Sequence, residues 1–373
     1  MNYRETPVRE TSTSAPATIA AHRLSALRVH ILYTGGTFGM ADGGAGMCPR
    51  SGIGDEITDI ITQFEEAEGK SVEFRYAEFD RVIDSADAGP ETACRIAEWA
   101  RSDTESAQPD GVVVIHGTDT MAYAGARMAF ELREIAVPVV LTGAQIPLGH
   151  PGSDARDNLH LALNSIAARP GPGTFIAFGS ALHRAVRASK RACDNYDGFT
   201  TLGEFAPPLS PPRAPEARRH SAATRLPVGL LTVFPGMHAD LLAAAIRHYP
   251  GGIILECYGS GTLPVDGSET IEAIRNATRH GTPVVVITQC DSGSVDLERY
   301  RPGRALLDAG AIGGGDMTRE AALAKLGYLV DRGLSGRELH RWMTTNLLGE
   351  LSNPAAPRAI HTQDTHLTAW SRS

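Results

Sequence analysis

Cysteine is scarce in this chain. The five residues, Cys48, Cys94, Cys193, Cys257 and Cys290, are scattered and odd in number, and no CxxC pair occurs. That excludes a disulfide framework and a zinc knuckle, and it leads us to expect a reducing, cytoplasmic setting. Basic residues are not in excess: 35 Lys and Arg stand against 43 Asp and Glu, a net charge of -8. A nucleic-acid partner is therefore not expected. No apolar run is long enough for a membrane span, so no membrane partner is expected either. The stretch 1–27 is rich in Thr, Ser, Ala, Arg and Glu, lacks the apolar centre of a secretory signal, and reads as a disordered extension.

Common cofactor and catalytic signatures are missing as well. Gly35, Gly36 and Gly39 do not make GxGxxG, and Gly69-Lys70-Ser71 has Phe64 where a P-loop needs its upstream glycine. There is no HExxH and no GxSxG, and the 13 histidines form no ligand-spaced cluster. Neither a metal nor an organic cofactor is expected.

What remains is an ordinary globular balance, 42% hydrophobic and 21% charged, over 373 residues. That length has room for two or three domains with sizeable cores. The organising stretch is 111–130. Val112, Val113, Val114 and Ile115 form a short buried strand. Met121, Ala124, Met128 and Leu132 then recur at helical spacing, with Gly125 letting a neighbour pack close. Between them lies His116-Gly117-Thr118-Asp119-Thr120. A loop at the carboxyl end of a buried strand, opening a helix, is where open α/β sheets bind ligands. Thr and Asp are also ordinary helix N-caps, so these residues alone leave capping and chemistry both open.

The pattern repeats along the chain. Strand 29–33 runs into Thr34-Gly35-Gly36-Thr37, and strand 138–141 runs into Thr142-Gly143. The segment 41–54 holds five glycines and a proline, and is expected to be an irregular, mobile flap. Helices are expected at 54–68, 91–101 and 153–168, and strands at 72–79 and 174–179. The stretch 183–197, with Lys190 among Arg184, Arg187 and Arg191, reads as charged and irregular. The stretch 204–227 carries six prolines and four arginines and is the expected linker. Beyond it strands and helices alternate again, with final helices at 318–330 and 336–348. The expected architecture is two parallel-sheet α/β domains, 28–203 and 228–353, followed by a loose tail at 354–373. Parallel strands gather their carboxyl ends along one sheet edge. Threonine hydroxyls, an acid and a lysine gathered there suggest nucleophilic hydrolysis of a small polar substrate.

These residues resemble a known family. Tyr33-Thr34-Gly35-Gly36-Thr37 and His116-Gly117-Thr118-Asp119-Thr120 are similar to the two signature segments of bacterial L-asparaginases. Leu141-Thr142-Gly143-Ala144-Gln145, Asp84-Ser85-Ala86-Asp87, Thr288-Gln289-Cys290 and Gly313-Gly314-Gly315-Asp316-Met317-Thr318 resemble the type I, cytoplasmic branch. The resemblance implies hydrolysis of L-asparagine to L-aspartate and ammonia through an acylated threonine. It implies Thr37 as nucleophile, and Thr118, Asp119 and Lys190 as a hydroxyl–acid–lysine relay. A threonine hydroxyl needs a base to take its proton, and a lysine of depressed pKa can serve. The resemblance further implies that Ser85, with Asp84 beside it, holds the substrate carboxylate, and that backbone amides around Gly36, Thr37 and Gly117 form an oxyanion hole. His116 reads as a structural hydrogen-bonder. A homo-oligomer, dimer or tetramer, is implied, with a site shared between subunits.

Three positions depart from the family pattern. Met47 stands where the flap usually delivers a tyrosine. Thr262 stands for an asparagine supplied by the neighbouring subunit. Glu256 replaces an arginine for the effector, whose pocket the resemblance sets beside Cys290. These departures keep two further readings open: the same chemistry on glutamine, D-asparagine or an asparaginyl group of a larger metabolite, and a weakened amino-acid-binding protein. The acidic balance and the short extension argue against a tRNA-dependent amidotransferase subunit.

Overall fold

The computed structural model describes residues 8–11, 26–208, 212, 215, 225–265 and 269–352. The first half runs β1 (Val8–Thr11), β2 (Leu27–Gly35), β3 (Met40–Asp42), β4 (Met47–Pro49), α1 (Gly54–Glu68), β5 (Val72–Ile83) and α2 (Pro90–Ala107). It continues through β6 (Gly111–Ile115), α3 (Thr118–Glu131), β7 (Pro138–Thr142), α4 (Ala155–Ala167), β8 (Gly173–Phe178) and β9 (Ala181–Arg184). Two short strands, β10 (Ala188–Lys190) and β11 (Phe199–Thr201), finish it.

Seven strands form the N-terminal sheet in the order β1-β5-β2-β6-β7-β8-β9. The inner run from β5 to β8 is parallel. β6 and β7 are buried along their whole length, so their apolar runs do not alternate. Ile57, Ile60, Ile61 and Phe64 of α1 and Leu159 and Leu163 of α4 pack on one face. Ile96 of α2 and Met121 and Met128 of α3 pack on the other. The chain leaves β2 toward β5 on one side and returns through β6 to the opposite side. Doubly wound sheets bind ligands in the crevice at such a switch point. Here that crevice opens between the carboxyl ends of β2 and β6.

The second half holds β12 (Val228–Thr232), α5 (Ala239–His248), β13 (Gly252–Cys257), α6 (Glu269–Arg279), β14 (Val284–Thr288), α7 (Arg301–Asp308), β15 (Ile312–Gly313), α8 (Arg319–Asp331) and α9 (Gly336–Met343). Its strands form one parallel sheet in sequence order. The two-domain α/β expectation holds. The domains meet where α3 packs on α8, and Ala126 and Phe130 enter the same apolar cluster as Leu326 and Tyr328. A small residue allows the approach: a Cβ on Gly327 of α8 would stand 2.7 Å from a guanidinium nitrogen of Arg127 on α3. Among the described residues no helix is long and apolar enough to cross a membrane.

Several expectations need correction. Within the supposedly disordered 1–27, Val8–Thr11 pairs antiparallel with β5 at the sheet edge. Backbone hydrogen bonding to an exposed edge gives little compositional signal. The 41–54 flap is not irregular: β3 and β4 form a hairpin, with Gly44 and Gly46 at positive φ in its turn. The 183–197 stretch contributes β9 and β10. The last helix stops at Met343, because 343–350 is tied down instead by Lys325 and Glu350, an ion pair with no exposed surface. Much of the 204–227 linker and all of the 354–373 tail lie outside the described residues. The start of the linker is packed, since Arg184 lies over the Phe205 ring and Asn346 donates to the Ala206 carbonyl.

Candidate active site

Two glycine-bearing turns meet at the crevice. Gly35 and Gly36 have φ of +119° and +81°, a region that side chains disfavour. The Gly36 amide donates to the Ile83 carbonyl at 2.9 Å. A Cβ on Gly36 would come within 2.2 Å of the Gly117 Cα, so the β2 and β6 turns press backbone on backbone. The residues that follow, Thr37 and Thr118, open from this contact. Thr37 starts a single 3-10 turn, Thr37–Gly39, and is half-buried. No side-chain hydrogen bond engages its hydroxyl among the described residues. Thr118 begins α3, whose first-turn amides are free of backbone partners, as at any helix start.

Lys190 completes the group. Its Nζ donates to Thr118 Oγ1 at 2.8 Å and to Asp119 Oδ1 at 2.6 Å. The lysine side chain is 18% exposed and the Asp119 side chain 64%. A lone lysine among arginines would ordinarily point to solvent. β10 turns this one inward.

Ser85 is buried at the same point, since a Cβ on Gly117 would meet its Oγ at 2.4 Å. Its carbonyl accepts from Thr120 Oγ1 at 2.9 Å, which ties the 85–87 turn to α3. Asp84 is used locally, its Oδ1 accepting from the Ala86 amide at 3.0 Å.

His116 is fully buried, and burial pushes its pKa down to about 4, so it is neutral. Thr34 Oγ1 donates its single proton to the Ile115 carbonyl at 3.0 Å. The 2.7 Å contact between Thr34 Oγ1 and His116 Nδ1 must therefore have the imidazole as donor. His116 thus locks the two turns together, as expected of a structural hydrogen-bonder. Thr142 is structural too, donating to the Ala177 carbonyl at 2.9 Å. Of the threonines at strand ends, only some are free for chemistry. Among the described residues no group of His, Cys, Asp or Glu is placed to hold a metal ion.

Comparison with known proteins gives the family. The family model described as "Asparaginase, N-terminal" matches residues 28–209. The model "Glutaminase/Asparaginase C-terminal domain" matches 227–343. The chain belongs to the asparaginase family. It is 35% identical over 335 residues to L-asparaginase 1 of Escherichia coli, covering 87% of this chain and 98% of that one. The solved thermostable L-asparaginase from Thermococcus kodakarensis superposes with a TM-score of 0.72 at 31% identity, over 87% of this chain and 99% of that one. L-asparaginase I from Vibrio cholerae gives 0.72 at 30% identity, over 88% and 100%.

Not every residue singled out in this asparaginase joins the group. Met47 sits in the flap hairpin at 42% exposure. Thr262 closes a turn in the C-terminal domain by bridging Tyr258. No hydrogen bond joins it to the relay within the chain, among the described residues. Glu256 is buried and held by Thr232 Oγ1 at 2.6 Å and by Arg319 at 2.7 Å, so its charge is already met. Sequence reasoning missed Thr120, Ser189 and Glu320. A clue to Ser189 was present, because a strand residue next to an inward-facing lysine must face the opposite side. Glu320 carried no local signal, since it arrives from the other domain.

Proposed function

We propose that this asparaginase hydrolyses L-asparagine to L-aspartate and ammonia through an acyl-enzyme on Thr37. Thr37 Oγ attacks the side-chain amide carbon, and its proton is passed to the amide nitrogen. The negative oxygen formed is met by the backbone N–H groups of Thr37 and Gly117; the Gly36 amide, also expected there, is taken by the Ile83 carbonyl. Collapse expels the amide nitrogen as ammonia once it has taken a proton, and leaves an aspartyl ester on Thr37. In the second half Thr118 orients a water, whose proton passes to Lys190 while Asp119 steadies the resulting ammonium. Attack of that water breaks the ester and gives aspartate, and the proton held by Lys190 is handed back to the departing Thr37 oxygen, restoring its hydroxyl. Ser85 hydrogen-bonds the substrate carboxylate, and the exposed Asp119 carboxylate meets its α-ammonium.

The observation that carries this reading is the Lys190 bridge to both Thr118 and Asp119, beside a threonine whose hydroxyl is unengaged. The free, scattered cysteines fit a reducing cytoplasm. Exposed Phe234, Leu241 and Tyr249 around α5 fit burial against further copies of the chain.

The test is ammonia release from L-asparagine, D-asparagine and L-glutamine, with Thr37→Ala alongside. L-asparagine is expected to be the best substrate, with turnover lost in Thr37→Ala. A second reading, the same chemistry on another amide, is favoured by Met47, which cannot share a proton. It is adopted if D-asparagine, L-glutamine or a larger asparaginyl amide turns over faster. Tight binding with no turnover of any amide would overturn both.

A further inference from the structure

Lys190 is carried on a slight support. β10 has three residues and, among the described residues, pairs only with β11, in a two-stranded ribbon apart from the main sheet. Such a ribbon is not stable alone and must be held from outside. Strand alternation turns Ala188 and Lys190 to one side and Ser189 to the other. Lys190 reaches α3 of the N-terminal domain. Ser189 reaches α8 of the C-terminal domain, where its Oγ donates to Glu320 Oε1 at 2.8 Å. Just upstream, Arg187 is wholly buried and donates to the carbonyls of Gly349 and Asp316 at 2.8 and 2.9 Å. The lysine's strand is therefore pinned to the second domain twice, and the Ser189 pin adjoins the lysine itself.

Glu320 is an expensive residue to keep there. It is 3% exposed, in the first turn of α8. One carboxyl oxygen takes Ser189, while the other is buried without a well-formed hydrogen bond, although the Thr318 hydroxyl and the Glu320 amide in the same helix turn favour its charged form. Arg319, its neighbour, pairs with Glu256 instead. Desolvation pushes the Glu320 carboxyl up from its ordinary range. The adjoining Ala321 and Ala322 are buried and apolar. Packing alone would favour an apolar side chain at this position. A half-satisfied buried carboxyl calls for an explanation beyond stability.

We infer that Glu320 is a positioning residue for the reaction: by holding Ser189 from the C-terminal domain, it sets where β10 lies and so keeps Lys190 Nζ within hydrogen-bond reach of Thr118 Oγ1. The inference rests on the proposed role of Lys190. It makes α8 part of the machinery although α8 belongs to the other domain from Lys190. A misplacement of about 1 Å at a reacting group costs on the order of a hundredfold in rate.

Steady-state kinetics on the full-length protein with L-asparagine test this. Glu320→Ala is expected to lower kcat by roughly 10- to 100-fold with KM changed less than about threefold. Glu320→Gln keeps an acceptor for Ser189 and is expected to retain most of kcat. Ser189→Ala should match Glu320→Ala, and Ser189→Thr, which keeps the hydroxyl, should restore the rate. The double variant Ser189→Ala/Glu320→Ala should be no slower than either single one, because both remove the same link. Should Glu320→Ala fail to fold, the Ser189→Ala and Ser189→Thr pair carries the test. Full kcat in Ser189→Ala, or effects that multiply in the double variant, overturns the inference. Lys190→Met separates the two levels. An inactive Lys190→Met beside a full-rate Ser189→Ala overturns the positioning role alone, whereas an active Lys190→Met overturns the relay.

Discussion

The two halves of the site are built differently. The relay half is held together by bonds within the chain itself: Lys190 spans Thr118 and Asp119 at 2.8 and 2.6 Å. The nucleophile half is open. Thr37 sits in a single 3-10 turn, and the neighbouring hairpin is exposed along most of its length. A preorganised charge relay needs no reorganisation at the moment of reaction. A nucleophile under a hairpin instead waits for substrate to complete its surroundings. In the proposed reaction the proton-handling half is thus fixed by the fold, and the half that would meet the amide is left to adapt.

That contrast can be broken most severely at its centres. Thr37→Ala and Lys190→Met are each expected to reduce kcat by about 10³-fold or more. They should differ in binding: calorimetric titration with L-asparagine is expected to show affinity retained in Thr37→Ala. The next largest effect falls on the support of the relay. Arg187→Met strips buried carbonyls of their donor and leaves Asp316 with Ser352 but without its ion-pair partner. A loss of about 3 kcal/mol in urea unfolding is expected, with lower activity from a loosened Lys190.

His116 gives a pH-dependent effect of similar size. Its folded pKa of about 4 lies below the ordinary value of 6.5. Between these values the unfolded chain binds a proton that the folded chain refuses. Its contribution is therefore complete above the upper value and is lost as pH falls, by up to ~3 kcal/mol near pH 4. Urea unfolding at pH 7 and pH 4.5 should show this drop. His116→Gln should show a smaller one; an equal drop would place the sensitivity elsewhere. The smallest effect belongs to the hairpin. Met47→Tyr is expected to change stability by less than about 0.5 kcal/mol and to raise kcat severalfold. An unchanged kcat would mean that this hairpin acts without a proton-sharing group.

Much of the fold was legible because its signals are local. The β-branched run at 112–115, the turn residues behind it and the helical spacing from Met121 specify β6 and α3 with no knowledge of the rest. The threonine-rich ends of β2 and β6 were legible for the same reason. Other features were hidden by their range. The hairpin of β3 and β4 was masked by glycines that its turn requires. The β1 pairing is a backbone affair at a sheet edge. Lys190 stood among arginines that suggested solvent, yet Arg187 is wholly buried and the lysine points to α3. The link from Ser189 to Glu320 spans 131 positions, and no pattern in either segment announces the other.

The mounting of Lys190 also bears on how freely this chain can be taken apart. The matched N-terminal region, 28–209, contains Thr37, Thr118, Asp119 and Lys190, every side chain assigned to bond making and proton transfer. It does not contain Asp316, Glu320 or Gly349, the groups that hold the lysine's ribbon in place. Expressed alone, that fragment would own the reagents without the frame that aligns them. The C-terminal domain is therefore no interchangeable appendage: grafting in a substitute from a relative would have to reproduce these tethers before the hybrid could turn over an amide.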